Sequence, residues 1–305
     1  AKWVGRNTTT AEAAEKSDIE NIMYIDEFES EFSDFVFKNN IETVYLDLEN
    51  RDMGLNKTIA FDFAQKLKLN FPHILIKNVY PIFAQLRLIK EEYELVLMQK
   101  AMDITTKGIE AMMKIAQPGM YEYEIEAYFD FVLKRHGVKQ KAFESIAASG
   151  KNGTILHYSS NDSQTKDGDL ILFDVGAMVG WYAGDITRTF PVNGKFTDEQ
   201  KKIYNIVLEG QQKVIDAIRP GITISQLNDI LKQHYFEELK KIGLADKLND
   251  VSKYYYHSVG HFIGAETHDI GRNNDTPLKE GMVITVEPGL YIEDMKIGIR
   301  IEDDV

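Results

Sequence analysis

The chain contains no cysteine. Disulfides, thiolate metal sites and a cysteine nucleophile are therefore excluded, and a reducing, cytoplasmic location is the expectation. No apolar run approaches the roughly 18 residues of a membrane-crossing helix, and no charged-then-apolar signal segment is seen. Basic charge is in deficit: 35 lysines and arginines face 48 aspartates and glutamates, a formal net charge of −13. A generic nucleic-acid binder presents a basic face, so neither nucleic acid nor a membrane is an expected partner. Three catalytic signatures are also missing: a His-Glu-x-x-His zinc motif, a Gly-x-Ser-x-Gly elbow and a Gly-Lys-Ser/Thr phosphate loop. Most of the acidic excess reads as solvated surface, with a share left for carboxylates that meet cations.

What is present is 305 residues of ordinary globular composition, 44% hydrophobic and 27% charged, long enough to bury a core without staples. Residues 1–88 read as a small α/β unit, with strands over Ile41–Leu48 and Ile74–Val79 and a helix over Ile59–Leu69. It carries no evident chemistry and is taken as a partial N-terminal domain. Residues 89–305 are α+β. A helix over Glu91–Ala116 stops at Pro118-Gly119, a second over Tyr123–Arg135 ends near Gly137, and strands follow at Leu170–Val175 and Ile186–Val192. The order then recurs. The capping box Thr197-Asp-Glu-Gln200 opens a helix to Ile218, Pro220-Gly221 stops it, Ser225–Lys241 ends at Gly243, and strands follow at Met282–Val286 and Ile297–Ile301. Pro-Gly after a helix is common, but four elements recurring in order mark a duplication. Two α+β halves related by a pseudo-twofold place a site at their junction.

The carboxylates on these strands carry the chemistry. Asp174 ends the apolar run Leu170-Ile-Leu-Phe173, and Asp185 lies in Gly184-Asp-Ile-Thr-Arg-Thr-Phe190, close enough for a hairpin to bring the two together. Glu287 follows Met282-Val-Ile-Thr-Val286, and Glu302 follows the alternating Ile297-Gly-Ile-Arg-Ile301, on the same face as Arg300. Any one of these could be a strand-end charge or an ion pair. Four of them, two per half, would repel at close range unless cations neutralise them.

Three of the seven histidines, His257, His261 and His268, lie within twelve residues, and the stretch Tyr254–Gly264 that holds the first two is β-branched and glycine-punctuated, a poor helix. Spacing alone does not say which of them binds a metal. A site rich in oxygen with one imidazole suits Mn2+, Fe2+ or Co2+ at least as well as Zn2+. Two such ions about 3.5–4 Å apart share a water and lower its pKa, which is hydrolytic chemistry.

The segments Asp174-Val-Gly176, Gly184-Asp-Ile-Thr-Arg-Thr-Phe-Pro191, His261-Phe-Ile-Gly264, Thr267-His-Asp269, Val286-Glu-Pro-Gly289 and Arg300-Ile-Glu-Asp303 resemble the pita-bread (creatinase/aminopeptidase) metallopeptidases, and within them the aminopeptidase P branch. The resemblance runs from about Ile89 to the end, with the motifs in the family's order. It implies two divalent metal ions, foremost Mn2+, with Co2+, Fe2+ or Zn2+ as alternatives. Asp174 would bind one ion, Asp185 and Glu302 would bridge both, and His261 and Glu287 would complete the other. It further implies Glu287 as proton acceptor, His268 at the substrate carbonyl or tetrahedral intermediate, His157 on the substrate backbone, His257 lining the pocket and Arg300 supporting the bridging carboxylates. The implied substrates are proline-containing peptides cut between the N-terminal residue and proline, and the implied assembly is a homo-oligomer, dimer or tetramer. Against that family the N-terminal unit reads as incomplete, and the last strand, ending at Val305, as short.

Prolidase, restricted to dipeptides, is the nearest alternative on the same fold. Methionine aminopeptidase is disfavoured by the N-terminal unit. A pita-bread protein without peptidase activity is disfavoured because such relatives usually lack metal ligands, and all five positions are present here.

Overall fold

The computed structural model describes residues 6–49, 58–271 and 275–305. The chain divides into two compact units, Ala1–Phe83 and Ala84–Val305.

In the first unit, α1 (Thr10–Ser17) and α2 (Phe28–Asn39) precede β1 (Thr43–Leu46), α3 (Ile59–Asn70) and β2 (Leu75–Asn78). Strands β1 and β2 run parallel, Thr43 opposite Leu75 and Leu46 opposite Asn78. A parallel pair needs a crossover, and α3 supplies it. Thr58 caps α3 by accepting from the Phe61 amide, which explains where the helix begins. The strand–helix–strand order matches the pattern in the sequence, with shorter strands. The helix α4 (Tyr80–Leu88) follows. The units part inside α4 rather than at residue 88, because Leu88 already packs on the core of the second unit.

The second unit holds α5 (Glu92–Ile115), α6 (Glu122–Arg135), β3 (Ile146–Ser149), β4 (Leu170–Val175), β5 (Met178–Val179), β6 (Tyr182–Ala183) and β7 (Ile186–Pro191). Then come α7 (Asp198–Ala217), α8 (Ile224–Lys241), β8 (Thr285–Val286), β9 (Gly289–Ile292), β10 (Ile297–Arg300) and β11 (Asp303–Asp304). Among the described residues no helix is long and apolar enough to cross a membrane.

The helices are amphipathic. Met98, Ala101, Ile104, Ile109 and Met112 share the buried side of α5, and Ile203, Ile206, Val207 and Val214 that of α7. Each half has its own core: α5 and α6 pack with β4 and β7, while α7 and α8 pack with β9 and β10.

The duplication extends to backbone detail. Gly119 and Gly221, which follow α5 and α7, adopt φ of +95° and +92°, a left-handed turn that L side chains resist. Gly108 in α5 lets Phe129 of α6 approach so closely that a Cβ would lie 2.3 Å from the ring. Gly210 in α7 does the same for Leu231 of α8, at 2.8 Å. The two helix pairs cross closely for the same reason.

The sheets differ between the halves. Strands β3, β4 and β7 form one antiparallel sheet, with Asp174 opposite Thr187, so the hairpin inferred from the Asp174–Asp185 spacing forms. In the second half β9 pairs with β10 and β8 with β11, as separate short ladders. The strand expected over Met282–Val286 is ladder-paired only at Thr285–Val286. Its earlier residues are held singly: Ile284 exchanges hydrogen bonds with Val305 at 3.0 and 2.9 Å, and the Ile263 amide donates to Val283 at 3.3 Å.

Candidate metal centre

The break between β10 and β11 builds the site. At Glu302 the second hairpin stops bonding to itself: the Glu302 amide donates to Thr187 O in β7 at 3.1 Å, and the Arg300 amide donates to Thr189 Oγ1 at 3.2 Å. Arg188 closes the seam from the other side, donating to Glu302 O at 2.6 Å and ion-pairing with Asp303. The carboxylates of the two halves are thereby brought together. Ligand atoms of Asp185, His261 and Glu302 all lie within 4.8 Å of one another. His261 Nε2 is 3.6 Å from Asp185 Oδ2 and 3.7 Å from Glu287 Oε1.

The tautomer of His261 is set by its neighbour. Nδ1 lies 3.1 Å from Phe262 O, which can only accept, so Nδ1 carries the proton and the Nε2 lone pair faces the carboxylates. Burial lowers the His261 pKa to about 4, so the ring is neutral at neutral pH. Burial, then the charges of Glu302 and Asp174, raises the pKa of Asp185 well above the usual range. Burial, then Asp174 and Glu287, does the same to Glu302. Burial pushes Glu287 up to about 8 although Arg300 pulls it down. Oδ1 of Asp174 and Oδ1 of Asp185 are buried without a hydrogen-bond partner. Orphaned acceptors and crowded carboxylates are costly by themselves, and divalent cations satisfy both at once. The donor set, four carboxylates and a neutral imidazole presenting a lone pair, fits such ions.

Behind the carboxylates lies a hydrogen-bond chain. Arg300 donates to Asp174 Oδ2 at 2.6 Å, to Tyr291 OH at 3.0 Å and to Thr187 Oγ1 at 3.2 Å. The Thr187 hydroxyl in turn donates to Glu302 Oε2 at 2.6 Å. His257 keeps the proton on Nδ1, bonded to Ser258 O at 2.7 Å, so Nε2 accepts from Tyr291 OH at 2.9 Å. Burial lowers the pKa of His257 to about 4 and raises that of Tyr291, so both stay neutral. Arg300, 3% exposed, thus ties together residues of both halves.

A cavity of about 530 Å3 opens over the cluster, and all nine residues singled out in the sequence line it: Asp174, Asp185, Glu287 and Glu302, with His157, His257, His261, His268 and Arg300. Phe143, Ile146 and Leu156 make its wall apolar. His268 stands edge to face with His261, ring centroids 4.4 Å apart. Residues 254–264 are not helical, as their composition indicated.

Some residues that hold the site gave no signal in the sequence. Glu122, fully buried at the start of α6, accepts from the Ser149 amide and hydroxyl, Asn152 Nδ2, Tyr158 OH and the Ser163 amide at 2.6–3.1 Å, and so ties down the loop that carries His157. Its place in the first helical turn reads as ordinary capping. Tyr291 and Thr187 look like routine strand residues. Their roles depend on partners 9 and 115 positions away.

Two duplicated halves meeting at a cluster of buried carboxylates and one neutral imidazole define a metal-dependent hydrolase architecture. The chain belongs to metallopeptidase family M24, whose profile matches residues 96–305, and its second unit has the pita-bread fold. It is 36% identical to the Xaa-Pro aminopeptidase of Haemophilus influenzae, over 99% of this chain and 72% of that one. It is 33% identical to the Xaa-Pro dipeptidase of Pyrococcus furiosus, over 94% of this chain and 81% of that one. A solved structure from Bacillus anthracis, provisionally assigned as an aminopeptidase P, superposes with a TM-score of 0.96 at 46% identity, covering 99% of this chain and 72% of that one.

Proposed function

We propose that the protein is a dinuclear Xaa-Pro aminopeptidase. The observation that carries this is the convergence of Asp174, Asp185, His261, Glu287 and Glu302 beneath one cavity, in a chain similar to an Xaa-Pro aminopeptidase over nearly its whole length. Asp185 and Glu302, from opposite halves, would hold both ions, with Asp174 completing the set for one and His261 with Glu287 for the other. When bound, the two cations, foremost Mn2+, hold the carboxylates ionised, polarise the scissile carbonyl and acidify the water that is the nucleophile.

The chain's own residues do the rest. Glu287 takes the proton from that water and returns it to the proline nitrogen, which must be protonated to leave. His268 donates to the developing oxyanion, and His157 contacts the substrate backbone. Both nitrogens of His257 are already engaged, so it offers substrate the face of its ring. Arg300 and Thr187 keep Asp174 and Glu302 aimed at the ions. An Xaa-Pro bond is a tertiary amide without an N–H, and proline fixes its own φ, so recognition falls to shape and to the imidazole-lined wall. A cytoplasmic location, a homo-oligomeric assembly and the assignment of residues 1–88 as part of an N-terminal domain belong to the same reading. The absence of cysteine supports the first, and the family resemblance the other two.

A dipeptidase is the second reading, favoured by the similarity to the Pyrococcus furiosus enzyme. The deciding assay uses chelator-stripped protein, with and without Mn2+, on an Xaa-Pro dipeptide and an Xaa-Pro-Yaa tripeptide. Metal-dependent release of the first residue from the tripeptide is expected. Cleavage of the dipeptide alone would establish the dipeptidase, and no cleavage of either would sink both readings.

A further inference from the structure

The loop from His261 to Asp269 carries two of the site's imidazoles, and Asp269 closes it. Its amide donates to Phe262 O at 2.9 Å, which draws the two ends of the loop together. The Asp269 side chain stays out of the cavity that His268 lines. Its carboxylate, 1% exposed, is held by Lys90 Nζ at 3.4 Å and by the Arg87 guanidinium. Arg87 lies in the last turn of α4 and Lys90 just before α5, where its amide is pinned to Gly281 O at 2.7 Å. Gly264 completes the packing, because a Cβ there would lie 2.2 Å from Asp269 Oδ2 and 2.9 Å from Lys90 Cε.

The Lys90 side chain is itself 1% exposed, and burial lowers its pKa despite the attraction of Asp269. A buried ion pair is a poor device for stability, since desolvation offsets much of the attraction. It is an effective device for fixing orientation, because the loop cannot shift without stranding a charge.

We infer that Asp269, clamped by Lys90 and Arg87, is a positioning residue that sets His268 over the carboxylate cluster. This rests on the role given above to His268. The test is a double-mutant cycle in the Mn2+-loaded enzyme, reading kcat, KM and bound metal for Asp269→Asn, His268→Ala and the pair. Asp269→Asn is expected to lower kcat about 10- to 100-fold with KM and metal content nearly unchanged, and to cost less than about twofold more once His268 is gone. Lys90→Met, which keeps the apolar stem, is expected to show a smaller loss with the same non-additivity, and it serves if Asp269→Asn fails to fold. An undiminished effect in the His268→Ala background, or a parallel loss of metal, overturns the inference. If His268→Ala lowers kcat and Asp269→Asn does not, only the positioning role falls. If His268→Ala itself leaves kcat intact, the role of His268 fails and the positioning role with it.

Discussion

The two halves of the second unit have the same helices and unlike strands. The first half keeps a continuous ladder from Leu170 to Val175 against Ile186 to Pro191, and carries Asp174 within it and Asp185 just ahead of it. The second half breaks its hairpin between Arg300 and Asp303, and Glu287 and Glu302 stand at the break. There the backbone groups that left the ladder find other partners: Thr187 O takes the Glu302 amide, and Gln211 of α7 donates to Val286 O and Ile301 O at 3.3 Å. An intact ladder aims side chains by its pleat. A broken one frees a carboxylate to turn towards the other half, and then requires side-chain props to hold it.

The strongest way to break the comparison is to remove the residues where the halves meet. Asp185→Ala and Glu302→Ala, one from each half, are both expected to lower kcat/KM by about three orders of magnitude or more, about 4 kcal/mol of transition-state stabilisation, with loss of bound metal. Near-native turnover in either would sink the shared site. His268→Ala lies outside the carboxylate cluster and separates chemistry from metal binding. Its kcat should fall about 100-fold with metal content retained by elemental analysis. Metal loss instead would make it a ligand.

Helix packing sharpens the comparison through stability. Gly108→Ala and Gly210→Ala each insert a methyl into a close crossing and are expected to cost about 1–3 kcal/mol in denaturant unfolding. Gly108 should cost more, because its neighbour is an aromatic ring at 2.3 Å, whereas Gly210 faces the end of a leucine at 2.8 Å.

The smallest expected effect is on the pH dependence of the cation-free protein. Burial holds Glu287 and Asp304 near 8, so below that pH the folded state binds protons that the unfolded chain, titrating near 4, has released. Stability therefore falls as pH rises. His257 and His261, lowered to about 4, act oppositely, but only below their unfolded value near 6.5. Between about 6.5 and 8 only the carboxyls of this set remain, so stability falls there while they stay protonated in the fold. Thermal melts across that range should decline in chelator and flatten with Mn2+. A flat profile in chelator would show that the carboxylates repel less than their burial implies.

Much of this was legible along the chain. The repeated Pro-Gly stops are read by local backbone preference, and Asp174, Asp185, Glu287 and Glu302 stand out because a charge beside an apolar strand is expensive wherever the strand goes. Which of the clustered histidines faces the carboxylates was not legible from spacing. His261 presents Nε2 to them because Phe262 O takes its other nitrogen, while both nitrogens of His257 are used by Ser258 and Tyr291.

The sequence by itself determined the duplicated α+β order, the acidic strand ends and the family motifs, since each is written in short-range patterns of polarity, glycine and proline. Only the tertiary structure decided how those ends meet. The broken second hairpin, the buried Arg300 spanning both halves, and the Glu122 and Asp269 clamps under the two loops all join residues far apart in the chain. Such contacts depend on how packed elements face one another, which no local pattern encodes.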